Sequence, residues 1–593
     1  MRAKLVHMMF IESMQPSVFA DRGALYRRSC ALAPFVGLVA ALLLLGFGRL
    51  RFDQPVSLSG DHIFLLQMIK DAMRGIGVFN EHMGAPLQKN SFYMPFFDGS
   101  YKFTIWLLTR FTSNVFVAVS LFYLIGVTAT FATSFWSLRV LEVEPWLASV
   151  ASVAFVLTPY FATRAFSHDL LSLYYSVPLG AGLAVSFSQG EPDRKAGSAF
   201  ALVSLAVVGT GGLYYAFFSV MFISLILVAR AVNDRSTRPL VVWSLICTVV
   251  LLLLGFSAYG FHVWRWLLGG QGLVTPPRRY SWEQLSHGLL IGTALHVYAD
   301  IGLFAGKFAE YKGVIFGQRG MGELPGESYL FEWPGPFLTT IILISPGLLF
   351  CFLNTRARRT GAIAVSVAFI TFGLLFSIRG GLGYVFGYLF TGAIRAQERI
   401  IPFLTFFAIL VACLGTACIG RRRLRRAVVA ITMLGLVIGM YPAIGLVSHH
   451  QNAFLTSPEA QAYRQSVLNV LAARDRSGIT TIFQLPVMQW PESPPVGKLV
   501  GYEHALPYIF DRNDSTTRWS YGLSAAQIAP FAAIATQEPN MPGELKKLGF
   551  DGILVEKTGY SVERAASLVN TLEANGACLS YQDQFRALFS LCK

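Results

Sequence analysis

Residues 31–48, ALAPFVGLVAALLLLGFG, are followed by residues 49–75, RLRFDQPVSLSGDHIFLLQMIKDAMRG. The first stretch has no charged side chain and is long enough to cross a hydrocarbon core of about 30 Å. Three arginines precede it at residues 22–28, and no convincing small-residue cleavage site follows it, so we interpret it as a retained first span rather than a signal peptide. The second stretch places Asp61 and His62 in a polar segment just beyond this span. An acid held at the outer face of a membrane favours chemistry on a lipid-linked substrate.

The composition indicates a polytopic membrane protein. Of the 593 residues, 54% are hydrophobic and 14% are charged, and the mean hydropathy is +0.52. Further apolar runs follow the first one, at residues 114–136, 146–162, 170–187, 198–210, 213–229, 240–261, 336–353, 361–377, 400–419 and 428–447. The sequence therefore predicts an α-helical polytopic protein with about eleven transmembrane helices.

Basic residues predict the orientation of these spans. Short cytoplasmic loops are enriched in lysine and arginine. With the N-terminus inside, every predicted inner loop is basic, at Arg139 and at residues 194–195, 230–238, 356–359 and 421–426. We therefore interpret the net charge of +15 as a topology signal and expect no nucleic-acid partner. The inner loops are too short for a nucleotide-binding domain, and the sequence has no GxxxxGKS/T loop.

This topology places three hydrophilic pieces on the outer side, at residues 49–113, 262–335 and 448–593. We therefore expect a transmembrane domain at residues 1–447, with the first two pieces as its outer loops. Residues 448–593 are expected to form a separate soluble domain on the outer side. Strand-like segments at residues 480–485, 552–555 and 587–591 alternate there with helical segments that include residues 458–473 and 561–574, which predicts an α/β fold.

The seven cysteines divide by their position in the chain. Four of them fall in predicted spans and Cys30 directly precedes the first span, whereas Cys578 and Cys592 both lie in the outer C-terminal domain. Because the outer compartment is oxidising, we predict that these two form a disulfide.

The first outer loop contains an amphipathic segment. From residue 60 to residue 76 the apolar residues recur at helical spacing, and polar side chains that include Lys70, Asp71 and Arg74 lie opposite them. This pattern predicts a helix that lies on the membrane surface. Asp61 at its start has two compatible interpretations. It is an N-cap that satisfies free backbone N–H groups, or a general base whose charged form the helix N-terminus favours.

A second polar cluster lies on the same predicted face as Asp61. Arg164, His168 and Asp169 occupy the short outer turn between the third and fourth spans. A lone interfacial histidine is more often a satisfied surface residue than a ligand. A second acidic and imidazole cluster on this side favours substrate binding instead.

Arg395 and Arg399 are four residues apart, near the outer end of the span that begins around residue 400. If this segment is helical, they share one face. A positioned arginine or a divalent metal stabilises the negative charge on a departing lipid phosphate, so both arginines are candidates for that role. The alternative is that they are interfacial anchors or pair with Glu398.

Glu81 and His82, within NEHMGAP, form a weaker candidate pair for substrate binding in the first outer loop. The neighbouring glycine and proline mark a turn, so a solvated loop is the alternative. Another group of residues, Asp61, His62, His168 and Asp169, also allows a divalent metal, but these residues lack a tight ligand spacing. The metal and any other cofactor are therefore left unassigned.

Several segments occur in the order GDHIFLLQMIKDAMRGIGVFNEHMGAP, PFFDGSYKF, RAFSHDLLSLYYSVPLG and GAIRAQERIIPF, and the C-terminal part contains FQLPVMQWPE, RWSYG and GFDGILVEKTGY. This series resembles bacterial membrane proteins of the YfhO-like group, which belong to or lie close to the GT-C glycosyltransferases. The resemblance implies a GT-C-like fold, a catalytic acid in the first outer loop and a polyprenyl-phosphate sugar as donor. By this resemblance Asp61, with His62 beside it, is the candidate catalytic base.

The predicted function is that of an inverting GT-C-type glycosyltransferase of the hexosyltransferase class, multi-pass in a bacterial inner membrane and active on the periplasmic face. The expected partners are a lipid-linked sugar donor, a cell-envelope glycan or lipid as acceptor, and membrane lipids. One alternative is a transporter or flippase for lipid-linked sugars, which the Gly-rich segment 380–391 favours. Another is a scaffold that binds lipid-linked glycans without reaction. An inert Asp61 would favour either alternative.

Overall fold

The computed structural model describes residues 16–91, 98–166, 168–189, 194–259, 288–299, 333–352, 358–390, 394, 396–491, 493–537 and 539–591. The helices of the membrane part are α1 (Pro16–Leu45), α2 (Gly60–Met73), α3 (Gly99–Leu108), α4 (Val115–Val140), α5 (Pro145–Val156), α6 (Pro159–Arg164), α7 (Asp169–Ser172), α8 (Ser176–Ser186), α9 (Arg194–Thr210), α10 (Leu213–Asn233), α11 (Arg238–Tyr259), α12 (His296–Ala299), α13 (Pro336–Phe352), α14 (Arg358–Ser377), α15 (Leu382–Leu389), α16 (Ile401–Ala417), α17 (Arg422–Met440) and α18 (Leu446–Thr456).

Each of the predicted spans contains a helix. Within the described residues, six segments are long and apolar enough to cross a membrane: Val115–Val140, Pro145–Arg164, Leu213–Asn233, Arg238–Ser257, Gln397–Ala417 and Arg422–Thr456. A long apolar run forms a helix in lipid because only internal hydrogen bonds satisfy its backbone there. The chain is therefore a multi-pass membrane protein, and the total of about eleven spans stays a prediction.

Helix α16 lies at the centre of the bundle. It contacts α5, α8, α13, α14 and α17, and nearly all of its side chains are buried. The ring of Phe222 in α10 packs on those of Phe403 and Phe407, with centroids 5.6 and 5.0 Å apart. A 3-10 turn, Gln397–Ile400, leads into α16, so this central helix fixes the position of the charged residues in that turn.

The first loop, residues 49–113, forms α2, a hairpin of β1 (Phe79–Asn80) and β2 (Lys89–Asn90), and α3. The expected surface helix corresponds to α2, but most of its side chains are buried, and it packs between α4 and the C-terminal part. The expectation that it lies on the membrane surface is therefore wrong, because its polar face meets protein groups instead of water. Large apolar side chains are exposed on α3 instead, including Phe103 at 62% and Trp106 at 47%.

The C-terminal part, residues 457–591, is a five-stranded mixed sheet with helices. Its strands are β3 (Thr481–Leu485), β4 (Arg518–Trp519), β5 (Gly552–Glu556), β6 (Ala577–Gln582) and β7 (Arg586–Leu591), in the order β4-β3-β5-β7-β6. Its helices are α19 (Pro458–Ser477), α20 (Leu506–Phe510), α21 (Ala525–Thr536), α22 (Met541–Lys547) and α23 (Val562–Ala574). β3 runs parallel to β4 and β5, whereas β7 is antiparallel to β5 and β6. Strands and helices alternate in this part, as the sequence predicts, and its status as a separate soluble domain stays a prediction.

The first loop covers the β4 edge of this sheet. Trp519 N donates to the His82 carbonyl at 2.9 Å, Gly84 N donates to the Tyr521 carbonyl at 2.9 Å, and Ala85 N donates to the Trp519 carbonyl at 3.0 Å. These bonds satisfy backbone groups that a bare edge strand would expose. The first loop and the C-terminal part are thereby joined through the backbone.

Cys578 in β6 is disulfide-bonded. Its predicted partner, Cys592, lies outside the described residues. The aromatic side chains of Trp490, Trp519 and Tyr521 are at most 2% exposed, so they belong to the core of the C-terminal part and not to its surface.

Candidate functional site

Asp61 lies in the first turn of α2, at one end of the helical bundle. The N-cap of this helix is Ser59, so the interpretation of Asp61 as the N-cap is wrong. The Asp61 side chain is 46% exposed, and its Oδ2 atom lies 4.0 Å from Nε2 of His168. Burial, followed by the guanidiniums of Arg164 and Arg399, lowers the pKa of His168 to about 3. Asp61 therefore faces an imidazole that is neutral at pH 7.

Arg164 and Arg399 form the basic side of this cluster. Arg164, at the end of α6, is fully buried, and its Nη2 atom lies 3.8 Å from Oε1 of Glu398. The Arg399 guanidinium lies over the ring of Tyr214 in α10, 4.1 Å from the ring centroid, which is a cation–π contact. Arg395, the other candidate, lies outside the described residues. Sequence reasoning treated Glu398 only as a partner for the arginines, and the structure places it inside the cluster.

His62 and Asp169 form a buried pair next to the cluster. His62 Nδ1 lies 3.1 Å from Asp169 Oδ1, and both side chains are 0% exposed. The His62 ring also packs edge-on against Phe166, with the ring centroids 6.0 Å apart. Because neither side chain reaches the surface, this pair joins α2 to the turn that carries His168. The pair thus supports the contact between α2 and α7 and does not line the accessible side of the site.

Asp98 and Lys102 are site residues that sequence reasoning missed. Asp98 is the N-cap residue of α3, and a Cβ added to Gly212 would lie 2.4 Å from its Oδ1 atom. Lys102 lies one turn later and donates from Nζ to the Ser257 carbonyl at 2.7 Å. Burial raises the pKa of Asp98 to about 7, while Lys102 and Arg399 act in the opposite direction. The segment PFFDGSYKF shows this acid and base at a spacing of four, which was the available signal.

Glu81 and His82 contact the C-terminal part. The Glu81 carbonyl accepts from Nε of Arg518 at 3.2 Å, and burial, followed by the charge of Arg74, lowers the pKa of His82. Arg74 follows the last residue of α2, a helix of 14 residues and therefore about 20 Å long. The structure thus places this pair near the opposite end of α2 from Asp61, and it does not bring them together.

The polar face of α2 docks on the C-terminal part. Lys70 Nζ donates to the Asp511 carbonyl, and Arg74 donates to the Arg512 carbonyl. The Asp511 carboxylate in turn accepts from Nη1 of Arg474 at 2.7 Å. Burial, followed by the charge of Arg74, lowers the pKa of Lys70 to about 8. The charged side chains that were expected to face water at the membrane surface therefore hold two parts of the protein together.

Asp71 is the centre of a second network at this interface. It accepts from the Tyr508 hydroxyl at 2.6 Å, from Asn80 Nδ2 at 2.8 Å and from Lys89 Nζ at 2.9 Å. The Lys89 ammonium also lies 5.0 Å from the centre of the Trp490 ring. Asp71 therefore joins α2, the hairpin and the C-terminal part in one buried network.

The candidate site offers no preformed metal centre among the residues that the structure describes. In that part of the chain, no group of three or more histidine, cysteine, aspartate or glutamate side chains is arranged to hold a metal ion. The described part of the site combines the half-exposed carboxylate of Asp61, the neutral imidazole of His168 and the cations Arg164 and Arg399.

Comparison with known proteins shows the fold. No family model and no curated protein match the chain. The arabinofuranosyltransferase AftD from Mycobacteria is similar, with a TM-score of 0.50 and 13% identity over 96% of this chain, and the chain spans 40% of the length of AftD. ArnT from Cupriavidus metallidurans, in a crystal structure bound to undecaprenyl phosphate, has a TM-score of 0.46 and 13% identity, and the match covers 97% of this chain and 99% of ArnT.

Proposed function

We propose that this membrane protein, which has the fold of the GT-C glycosyltransferases, transfers a sugar from a polyprenyl-phosphate donor to a cell-envelope glycan or lipid on the periplasmic face of a bacterial inner membrane. One observation carries the proposal. The half-exposed carboxylate of Asp61 lies beside the neutral imidazole of His168, next to the cations Arg164 and Arg399. In the transfer of a sugar from a phosphate, a base accepts the proton of the acceptor hydroxyl, and cations stabilise the departing phosphate.

Asp61 is the proposed general base. The acceptor hydroxyl oxygen forms a bond to the anomeric carbon, while the bond between that carbon and the phosphate oxygen of the donor breaks. The electron pair of the broken bond stays on the phosphate. The proton of the acceptor moves to the Asp61 carboxylate, which later releases it to water. Direct displacement from the face opposite the phosphate inverts the anomeric centre.

The proposed role of the cations is to stabilise the departing phosphate. Arg399 is the best placed of them, because it is only partly buried and its guanidinium is held by the Tyr214 ring. Arg164 is fully buried and is paired with Glu398, so its proposed contribution is electrostatic and does not include direct contact with the donor. In a poorly solvated cleft such charges stabilise a developing anion more strongly than they do in water.

Release of polyprenyl phosphate from a panel of polyprenyl-phosphate pentoses and hexoses tests the proposal. The purified chain is assayed in nanodiscs with cell-envelope lipids as acceptors. Asp61→Asn should lower turnover at least about 100-fold, which is the usual contribution of a general base. Asp53→Asn is the matched control, since it changes the same chemical group at an exposed position of the first loop. Asp71→Asn is unsuitable as a control because Asp71 is buried at the interface.

The outcomes of this experiment separate the alternatives. Full turnover by Asp61→Asn would remove Asp61 as the base. If the wild-type chain releases polyprenyl phosphate from none of these donors, the transferase proposal is wrong. A flippase assay with a fluorescent lipid-linked sugar in proteoliposomes then becomes the next measurement. Loss of turnover in Asp61→Asn alone, at normal abundance and folding, is the result we expect.

A further inference from the structure

The start of α3 lies in a corner formed by the turn between α9 and α10. Ser100 Oγ donates to the Thr210 carbonyl at 3.0 Å and also contacts the Tyr175 hydroxyl. Asp98 packs against Gly212, the N-cap residue of α10, where an added Cβ would lie 2.4 Å from the Asp98 Oδ1 atom. Because glycine has no side chain, the Asp98 carboxylate occupies the space that a side chain at position 212 would fill.

Two cations flank this carboxylate. Lys102, on the next turn of α3, is anchored by the bond from its Nζ atom to the Ser257 carbonyl at the end of α11. Arg399 approaches from the turn before α16 and lies over Tyr214, in the first turn of α10. Both charges are close enough to favour the ionised form of Asp98. Asp98 therefore lies within electrostatic reach of two cations from different parts of the bundle.

We propose that Asp98 is the resident counter-ion of a phosphate site. Its carboxylate balances the charge of Lys102 and Arg399 while the donor is absent, and it becomes neutral, by taking up a proton from water, when the phosphate of the polyprenyl donor binds to these cations. The inference rests on the proposed function for the identity of this ligand, but its test needs neither an acceptor nor turnover. Asp98 is then a positioning residue that acts through the two cations and forms no bond to the sugar.

Electrostatics explains why phosphate binding and protonation of Asp98 are linked. A phosphate and an ionised carboxylate at the same pair of cations repel each other, so the occupied site favours neutral Asp98. Burial already raises the pKa of Asp98 to about 7 in the absence of ligand. Within the described part of the chain, the other titratable groups that face it are the hydroxyls of Tyr101 and Tyr175, which stay neutral in this range. Donor binding should therefore take up a proton near neutral pH.

Binding of undecaprenyl phosphate to the purified full chain in nanodiscs tests this linkage. If the site binds only with Asp98 protonated, a pKa of about 7 predicts that Kd rises about tenfold between about pH 6 and about pH 8. Asp98→Asn resembles the neutral side chain and should bind tightly at both values. The second ionisation of the phosphate itself, near pH 6, affects both proteins equally. The ratio of the wild-type Kd to the variant Kd therefore isolates Asp98.

Titration calorimetry in buffers of different ionisation enthalpy adds a measurement that needs no variant. At neutral pH the wild type should take up about half a proton per bound lipid. Asp53→Asn, which removes an exposed acid from the same loop, should behave like the wild type. An equal pH dependence of Kd in Asp98→Asn and the wild type, or binding without proton uptake, would overturn this inference but not the proposed function. Absence of lipid binding by the wild type at every pH would instead overturn the proposed function.

Discussion

Replacing Asp71 by asparagine should loosen the helix that carries Asp61. The substitution preserves the size of the side chain but removes the charge that Lys89 Nζ contacts at 2.9 Å. The Lys89 side chain is 2% exposed, so its ammonium would stay buried without a counter-charge. Removing one partner of a buried ion pair costs about 3–5 kcal/mol. The opening equilibrium of α2 should therefore rise by about two to four powers of ten.

Hydrogen–deuterium exchange of peptides that cover Gly60–Met73 measures this opening. Glu544→Gln is the matched control, because this glutamate pairs with Lys547 at 2.6 Å on the surface, where such a pair contributes less than about 1 kcal/mol. Adding Lys89→Met to Asp71→Asn removes the stranded charge and should restore part of the protection. Unchanged exchange of α2 in Asp71→Asn would refute the interface role of Asp71.

Three other properties can be tested in the same preparation. Gly212→Ala should lower the unfolding temperature, because the added Cβ would lie 2.4 Å from a carboxylate oxygen and the backbone φ is +100°. Gly415→Ala, where nothing lies within 4 Å, gives the baseline for that comparison. Burial lowers the pKa of His504 from 6.5 to about 4, so the contribution of this histidine to stability is fully present above pH 6.5, and about 3 kcal/mol of it should be lost as the pH falls towards 4. Burial also raises the pKa of the neighbouring Glu503 to about 7, which favours the fold at lower pH and offsets this loss. The difference in the free energy of unfolding between the wild type and His504→Gln isolates the histidine, and a difference that does not change over this pH range would contradict the expectation. Non-reducing peptide mapping should find Cys578 joined to Cys592, and labelling of both as free thiols would disprove the bridge.

The positions of the helices follow from the sequence because a long apolar run has few alternatives in a bilayer. The run at residues 114–136 corresponds to Val115–Val140, where the polar residue Asn114 caps the helix and accepts from Phe116 N at 2.8 Å. The strand predicted at residues 480–485 corresponds to Thr481–Leu485. In both cases the local pattern decides the structure.

The environment of α2 could not be predicted in the same way. An amphipathic pattern shows that a helix has a polar face, but it does not show what covers that face. The partners of Lys70 and Arg74 are backbone carbonyls of Asp511 and Arg512, more than 430 positions away. No local signal connects residues at such a separation, so water was the default expectation.

The candidate site shows the same division between local and distant information. The topology correctly predicted that the turn after α6 shares a face with Asp61, and the structure places His168 there. Asp98 and Lys102 were visible as an acid and a base four residues apart. Their proposed role depends on Gly212 and Arg399, which lie near Asp98 only because α10 and α16 pack against the start of α3. The sequence alone therefore offers no reason to select Asp98 and Lys102.

The two acids of the site are anchored by different parts of the protein. Asp61 belongs to α2, which Asp71 joins to the C-terminal part, whereas Asp98 belongs to α3 and packs on α10 at Gly212. Because these anchors share no residue, their effects should separate. Asp71→Asn should slow the proposed sugar transfer but leave the pH dependence of the proposed undecaprenyl phosphate binding unchanged, and Gly212→Ala should alter that pH dependence directly. If Asp71→Asn changes both properties to the same degree, the first loop moves as one body, and the assignment of separate roles to the two acids is wrong.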